Sequence, residues 1–237
     1  MSPIYNKLKI IVLIPARGGS KGIPKKNVKL FLGEPLINHS IKYAKKCSLI
    51  DEIYVSTDNS DIAKLGRDLG AKIINRPKNI STDSATTESA IDHFIKKINA
   101  NKHIIVLLQP TSPIRPKNAL FEALTKFKLN NYDSLLSLSP THHFFWKISK
   151  NNLLHPEYDY MNRPLRQNID KQNIRFIENG SLYIFNSSNF KTYHNRLGGK
   201  IGFVIWDQEY SYELDSNYDW EFLETLNKKN KNNESTP

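Results

Sequence analysis

One cysteine, Cys47, is all that 237 residues provide. A lone thiol cannot close an intrachain disulfide, and its setting in an apolar helical stretch fits a buried, unreactive group better than a nucleophile. Long hydrophobic runs are missing as well. Ile10-Ile11-Val12-Leu13 falls far short of the roughly 20 apolar residues of a bilayer-spanning helix. The first residues are polar, so no leader peptide is expected and the reading is of a cytoplasmic protein. Zinc-ligand spacing, internal repeats and aromatic RNA-binding signatures are absent too. Acids are scarce: 23 Asp and Glu face 34 Lys and Arg, a formal charge of +11. The excess lysines are scattered along the chain rather than gathered on an arginine-rich helix. A diffuse positive field suits small polyanions, and neither nucleic acid nor membrane is expected as a partner.

What is present is a rhythm. Apolar strand patterns alternate with helical ones, as in a parallel sheet wound with helices, and 39% apolar residues suffice for such an α/β core. Strands are expected at Ile10–Leu13, Glu52–Thr57, Lys72–Asn75, Ile104–Leu108, Leu135–Leu138, Leu182–Phe185 and Ile201–Ile205. Helices are expected over Leu36–Lys46, from Asn59-Ser60-Asp61 to Gly70, and over Ser84–Ala100, Lys117–Asn130 and Asp219–Leu226. The rhythm breaks between Pro140 and Arg175, a polar, aromatic, proline-punctuated stretch too long for an ordinary loop. Residues 229–237 read as a flexible tail.

The chemistry concentrates where strands end. Ile14 to Gly22, Ile-Pro-Ala-Arg-Gly-Gly-Ser-Lys-Gly, packs three glycines, two cations and a hydroxyl into one turn. Glycines let backbone N–H groups approach a ligand, and Arg17 and Lys21 add charge, so the turn suits a polyphosphate. It is no Walker A loop, since Ser20 precedes the lysine and no hydroxyl follows it. Its glycine spacing is not that of a dinucleotide-binding turn either. Asp58, Arg76 and Gln109 follow later strands, and in open α/β sheets ligands bind beyond such ends. The prolines of Gln109-Pro110-Thr111-Ser112-Pro113 make a rigid, substrate-positioning turn. Alternation in the extended Glu213-Leu214-Asp215 puts two carboxylates on one side, which suits a hard divalent cation. Asp83 and Asp219 read as helix N-caps, Thr86 and Thr87 as early-helix residues, and Lys25 and Lys26 as solvent-facing, with one of the two able to reach a triphosphate. His142-His143 fit a surface or interface.

The block Ala16–Asn27, with Ser56-Thr57-Asp58, Arg76-Pro77, Gln109–Pro113, Glu178-Asn179-Gly180 and Leu214-Asp215, resembles the CMP-sialate and nonulosonate synthetase branch of the cytidylyltransferases. The resemblance implies a three-layer αβα fold of nucleotidyltransferase type over residues 1–228, built on a mostly parallel Rossmann-like sheet. It also implies that 140–175 serves dimerisation and acceptor binding. The implied reaction joins CTP and an acidic nine-carbon sugar, with Mg²⁺, into CMP-sugar and pyrophosphate. A synthetase for the eight-carbon sugar acid Kdo is the alternative. Ala16, Arg17, Ser20, Lys21, Asn27, Arg76, Ala85 and Thr87 would contact the nucleotide, though Asn27 also suits a turn. Gln109, Thr111, Ser112 and Arg166 would contact the acceptor, with Arg163 and Arg175 as competitors for its carboxylate. Asp215 and Glu213 would hold the metal, although the family usually has Asp-X-Asp there. Arg17, Lys21 and Asp215 would carry catalysis, and a homodimer is implied.

Overall fold

A computed structural model describes residues 8–100, 102–165 and 174–234, with side chains through 227. Five apolar runs set a central sheet: β1 (Ile10–Pro15), β4 (Glu52–Thr57), β5 (Lys72–Asn75), β6 (Ile104–Leu108) and β11 (Ile201–Ile205). Two longer strands join them, β7 (Ser134–Thr141) and β10 (Arg175–Asn186). The order is β11-β7-β10-β6-β1-β4-β5. Pairings are parallel except on both sides of β10, which runs antiparallel to β6 and β7. The chain lays β4 and β5 on one side of β1, then returns to place β6 on the other. That reversal opens a crevice at the carboxyl ends of β1 and β6.

Period-two alternation explains the layers. Ile10, Val12 and Ile14 pack with α1 (Leu36–Lys45), α2 (Ser60–Asp68) and α4 (Ala119–Leu129), through Ile37, Ile41, Ile62, Leu120 and Leu124. Ile11 and Leu13 face the other way, toward Ile91, Phe94 and Ile95 of α3 (Thr87–Lys97) and Phe190 of α5 (Ser187–Tyr193). A third cluster joins Ile23 of the first loop, Phe31 and Leu36 to Leu214, Trp220 and Leu223. Phe31 belongs to a small hairpin, β2 (Leu30–Phe31) with β3 (Glu34–Pro35), and Trp220 to α6 (Asn217–Glu234).

Several expectations need correction. The helix expected from Ser84 starts at Thr87, because Thr86 is the cap: its hydroxyl accepts the Ser89 N–H at 3.1 Å. Asp83 does not cap; its carboxylate is drawn to Arg17 and Lys21 instead. The final helix is capped by Ser216, whose hydroxyl accepts the Asp219 N–H while Asp219 Oδ2 accepts the Ser216 N–H at 2.7 Å, a reciprocal capping box. That helix runs on to Glu234 through the segment expected to be a tail. The break after Pro140 is in part regular: β7 extends to Thr141, β10 starts at Arg175, and β8 (Trp146–Ile148) pairs with β9 (Leu154–Pro156) between them.

Candidate active site

Beyond the crevice lies a cleft of about 260 Å³ lined by Arg17, Ser20, Asn27, Arg76, Ala85, Thr87, Gln109, Thr111 and Asp215, together with Lys26 and Thr86. Nine of the residues singled out from sequence thus converge on one cavity. Its floor is built by backbone bonds. Ala16 is buried with its N–H donated to the Ser56 carbonyl at 2.9 Å, which fastens the loop to the tip of β4. Gly18 donates to Asp58 at 2.8 Å, so Asp58 serves as a loop anchor. Asn27 has the turn role open to it, its Nδ2 donating to the Arg17 carbonyl at 3.0 Å and closing the loop, and it also lines the cleft.

The cations divide into held and waiting. Arg76 is buried, donating through Nε and Nη2 to Ser56 at 3.2 and 2.6 Å, and burial brings its guanidinium down to about 10. Arg17 and Lys21 share one internal anion: Arg17 lies 2.7 Å from Asp83 Oδ1 and Lys21 3.3 Å from Asp83 Oδ2. Slight desolvation works upward on the Asp83 carboxyl, but these two cations together hold it below its ordinary value. Lys21 is largely exposed and does not line the cleft.

Lys26, expected to face solvent, is nearly covered. Its ammonium donates to the Leu214 carbonyl at 2.5 Å and approaches Asp215 at 3.3 Å. Lys25, left-handed at φ 53°, turns the chain so that Lys26 opens a short helical turn aimed at the acidic segment. A basic doublet reads as solvated surface; the complementary signal was the Glu-Leu-Asp segment near the far end of the chain.

That segment is pinned by fully buried Leu214, whose N–H donates to the Thr111 carbonyl at 2.8 Å. Two glycines make room for it. A side chain on Gly22 would collide with the Asp215 carbonyl, and one on left-handed Gly180 with the Glu213 carboxylate. Glu213 lies 3.5 Å from the Thr111 hydroxyl; burial first, then the Asp215 charge, raise its carboxyl above the ordinary value. Asp215 is exposed, and its N–H is held by Asp219 at 3.1 Å. Two adjacent carboxylates, one costly to ionise, form a donor set that a divalent cation would relieve. Among the described residues no group of three or more His, Cys, Asp or Glu forms a metal cluster, and His143 is bonded to Thr141 at 2.6 Å.

Ser112 does not reach the cleft. It is fully buried, its hydroxyl donating to the Asn179 carbonyl at 3.4 Å, so its part is to tie the turn to β10. Arg166 lies outside the described residues. Its competitors are engaged within the extension: Arg163 stacks 4.4 Å from the centre of the Phe144 ring, and Arg175 pairs with Glu157 at 3.0 Å. Arg115, overlooked in the sequence, is buried directly behind Gln109.

Comparison with known proteins fits this arrangement. The chain is 35% identical over 222 residues to an N-acylneuraminate cytidylyltransferase of Oncorhynchus mykiss, covering 92% of this chain and 50% of the relative. To an Escherichia coli enzyme of the same name it is 27% identical, covering 94% and 53%. It is 39% identical over 127 residues to a pseudaminic acid cytidylyltransferase of Campylobacter jejuni, covering 52% and 55%. The chain therefore spans about half the length of these curated relatives. A CMP:2-keto-3-deoxy-manno-octonic acid synthetase solved with CTP superposes with a TM-score of 0.67 at 16% identity, over 94% of this chain and 99% of that one, a likeness of fold. The sequence pattern of the cytidylyltransferases matches residues 11–233, and the chain belongs to that family.

Proposed function

We propose that this protein transfers a cytidylyl group from CTP to an acidic nine-carbon sugar of the sialic or nonulosonic type, releasing pyrophosphate. The observation that carries this reading is the cleft itself. At one switch point it gathers a glycine-rich cationic loop, a buried arginine beside a helix N-terminus, a polar strand tip and the Asp215 carboxylate, with Glu213 interacting with it from behind the cleft wall. Relatives named for N-acylneuraminate and pseudaminic acid support the acceptor class.

In this mechanism the anomeric hydroxyl of the sugar attacks the α-phosphorus in line. A new P–O bond forms, the bond to the α,β-bridging oxygen breaks, and pyrophosphate leaves with the electron pair while the hydroxyl proton passes to water. Such chemistry needs positioning and charge stabilisation rather than a covalent nucleophile. Arg17 and Lys21 take the β- and γ-phosphates once Asp83 gives them up, and Ser20 with loop N–H groups fixes their oxygens. Arg76 and the backbone around Ala85 and Thr87 hold the cytosine and ribose. Gln109 and Thr111 orient the acceptor, whose carboxylate calls for an arginine from the extension, Arg166 first. Asp215 and Glu213 would hold Mg²⁺, which when bound neutralises phosphate charge; Lys26 orders their segment beforehand.

The extension supports a homodimer. Trp146, Ile148, Leu154 and Met161 are exposed on or beside the β8–β9 hairpin, an apolar surface suited to a second copy. Nothing in the cleft or the scattered charge calls for nucleic acid, and no described helix is long and apolar enough to cross a membrane. The test is to incubate the protein with CTP, Mg²⁺ and a panel of sugar acids and follow pyrophosphate. Release is expected with a nonulosonic acid and CTP. Release with none of them, or equally with ATP, GTP and UTP, would overturn the assignment.

A further inference from the structure

Arg115 is a full charge buried without a counter-ion. It is 8% exposed, and no carboxylate pairs with it among the described residues. Burial lowers its guanidinium to about 10, so it stays protonated at neutral pH. An uncompensated buried cation is expensive, and a protein tolerates one where its hydrogen bonds hold something together. Nη1 donates to the Ser40 hydroxyl on α1 at 3.1 Å. Nη2 donates to the Gln109 carbonyl at the tip of β6 at 2.7 Å and, at 3.3 Å, to the Ser181 carbonyl on β10. The Tyr43 ring lies 5.4 Å from the guanidinium carbon, while Nε, also buried, has no hydrogen-bond partner among the described residues.

The held atom matters. Pro110 and Pro113 remove two backbone donors from the turn after β6, so its strand-proximal end is held largely from outside, while Thr111 and Ser112 are tied further along to Leu214 and Asn179. Besides Arg115, the Gln109 carbonyl accepts, among the described residues, the Ser112 N–H at 3.2 Å. A forked, planar donor reaches three elements at once, which a lysine ammonium on a flexible stem would do poorly. We infer that Arg115 is the positioning residue for the acceptor side of the cleft, clamping the Gln109 carbonyl between α1 and β10 so that the Gln109 and Thr111 side chains meet the sugar acid in a fixed pose. This rests on the proposed acceptor role of Gln109.

Arg115→Lys keeps the charge and loses the fork. In the pyrophosphate assay it should raise the acceptor KM by roughly tenfold to a hundredfold, the scale of a misplaced positioning group. CTP binding by calorimetry should stay within about twofold, because Arg76 and α3 are held by other bonds. With Gln109→Ala added, the two acceptor losses should combine to clearly less than their product, since much of the Arg115 effect passes through the Gln109 side chain and only the remainder through Thr111. Amide exchange at Thr111 and Ser112 should quicken while α3 is unaffected. An unchanged acceptor KM, multiplying effects in the double variant, or CTP affinity falling in step with acceptor affinity would each overturn the inference. If the unaltered protein turned over no sugar acid, the functional reading would fail, and the exchange comparison would decide alone: unchanged rates at Thr111 and Ser112 overturn the clamp, faster rates support it.

Discussion

At the scale of single residues, the site depends on charges whose surroundings were chosen by the fold. Lys26 is the clearest. Its ammonium is almost covered against the Leu214 carbonyl and Asp215, linking the two ends of the described chain. Lys26→Ala should cut turnover on the order of 10²–10³-fold, the usual loss for a preorganised cation near developing phosphate charge, while thermal unfolding stays cooperative. Turnover within a few-fold of the unaltered protein would remove Lys26 from the machinery. Glu213 gives a pH signature. Burial and Asp215 place its folded value above the unfolded one. Below the ordinary carboxylate range both states are protonated and nothing is lost. As pH rises through the raised folded value, the folded state bears an ionisation cost, so stability declines. Glu213→Gln should therefore melt higher than the unaltered protein at neutral pH without metal, and the difference should fade below about pH 4. Coincident melting at neutral pH would mean the carboxyl is under no strain. Mg²⁺ should raise the melting temperature of the unaltered protein and not that of Asp215→Asn; an equal rise in both would put the metal elsewhere.

At the scale of elements, strands were more legible than site geometry. Glu52–Thr57, Lys72–Asn75, Ile104–Leu108 and Ile201–Ile205 form as read, because runs bounded by turn residues carry the strand signal within themselves. β7 and β10 are longer than expected because buried serines hide their alternation. Ser137 and Ser139 are buried with both bonded to Asn179, and Ser137 to the Leu182 N–H as well, pairings no local pattern announces. α5 escaped notice as seven residues with Ser187 and Phe190 alone buried. The start of α3 was misread because Asp83, an apparent cap, answers to Arg17 and Lys21 from another loop. Long-range partners thus account for most of what the sequence left unread, Arg115 and Lys26 included. The true cap of α3 is testable: Thr86→Ala should cost about 1 kcal/mol of stability. Because Thr86 also lines the cleft, CTP should stabilise this variant less than the unaltered protein in a thermal-shift titration. No loss of stability would place the cap elsewhere.

At the scale of the whole molecule, the exposed apolar surface of the extension and the arginine sought there belong together. Trp146→Glu with Ile148→Glu should give a monomer by light scattering and also weaken acceptor use if the extension completes the site. A monomeric unaltered protein at micromolar concentration would remove the dimer from the reading. Asp83 has a consequence of a different kind. Although the chain carries +11, the two foremost cations of the phosphate loop are not idle before substrate arrives. A nucleotide entering this cleft trades one anion for another instead of filling a bare positive socket. Its affinity should accordingly depend on ionic strength less steeply than the net charge suggests, and pyrophosphate, the product of the proposed reaction, should be helped off the loop by the returning carboxylate. Asp83→Asn would turn the exchange into a simple capture: tighter CTP, a steeper salt dependence, and a product that lingers.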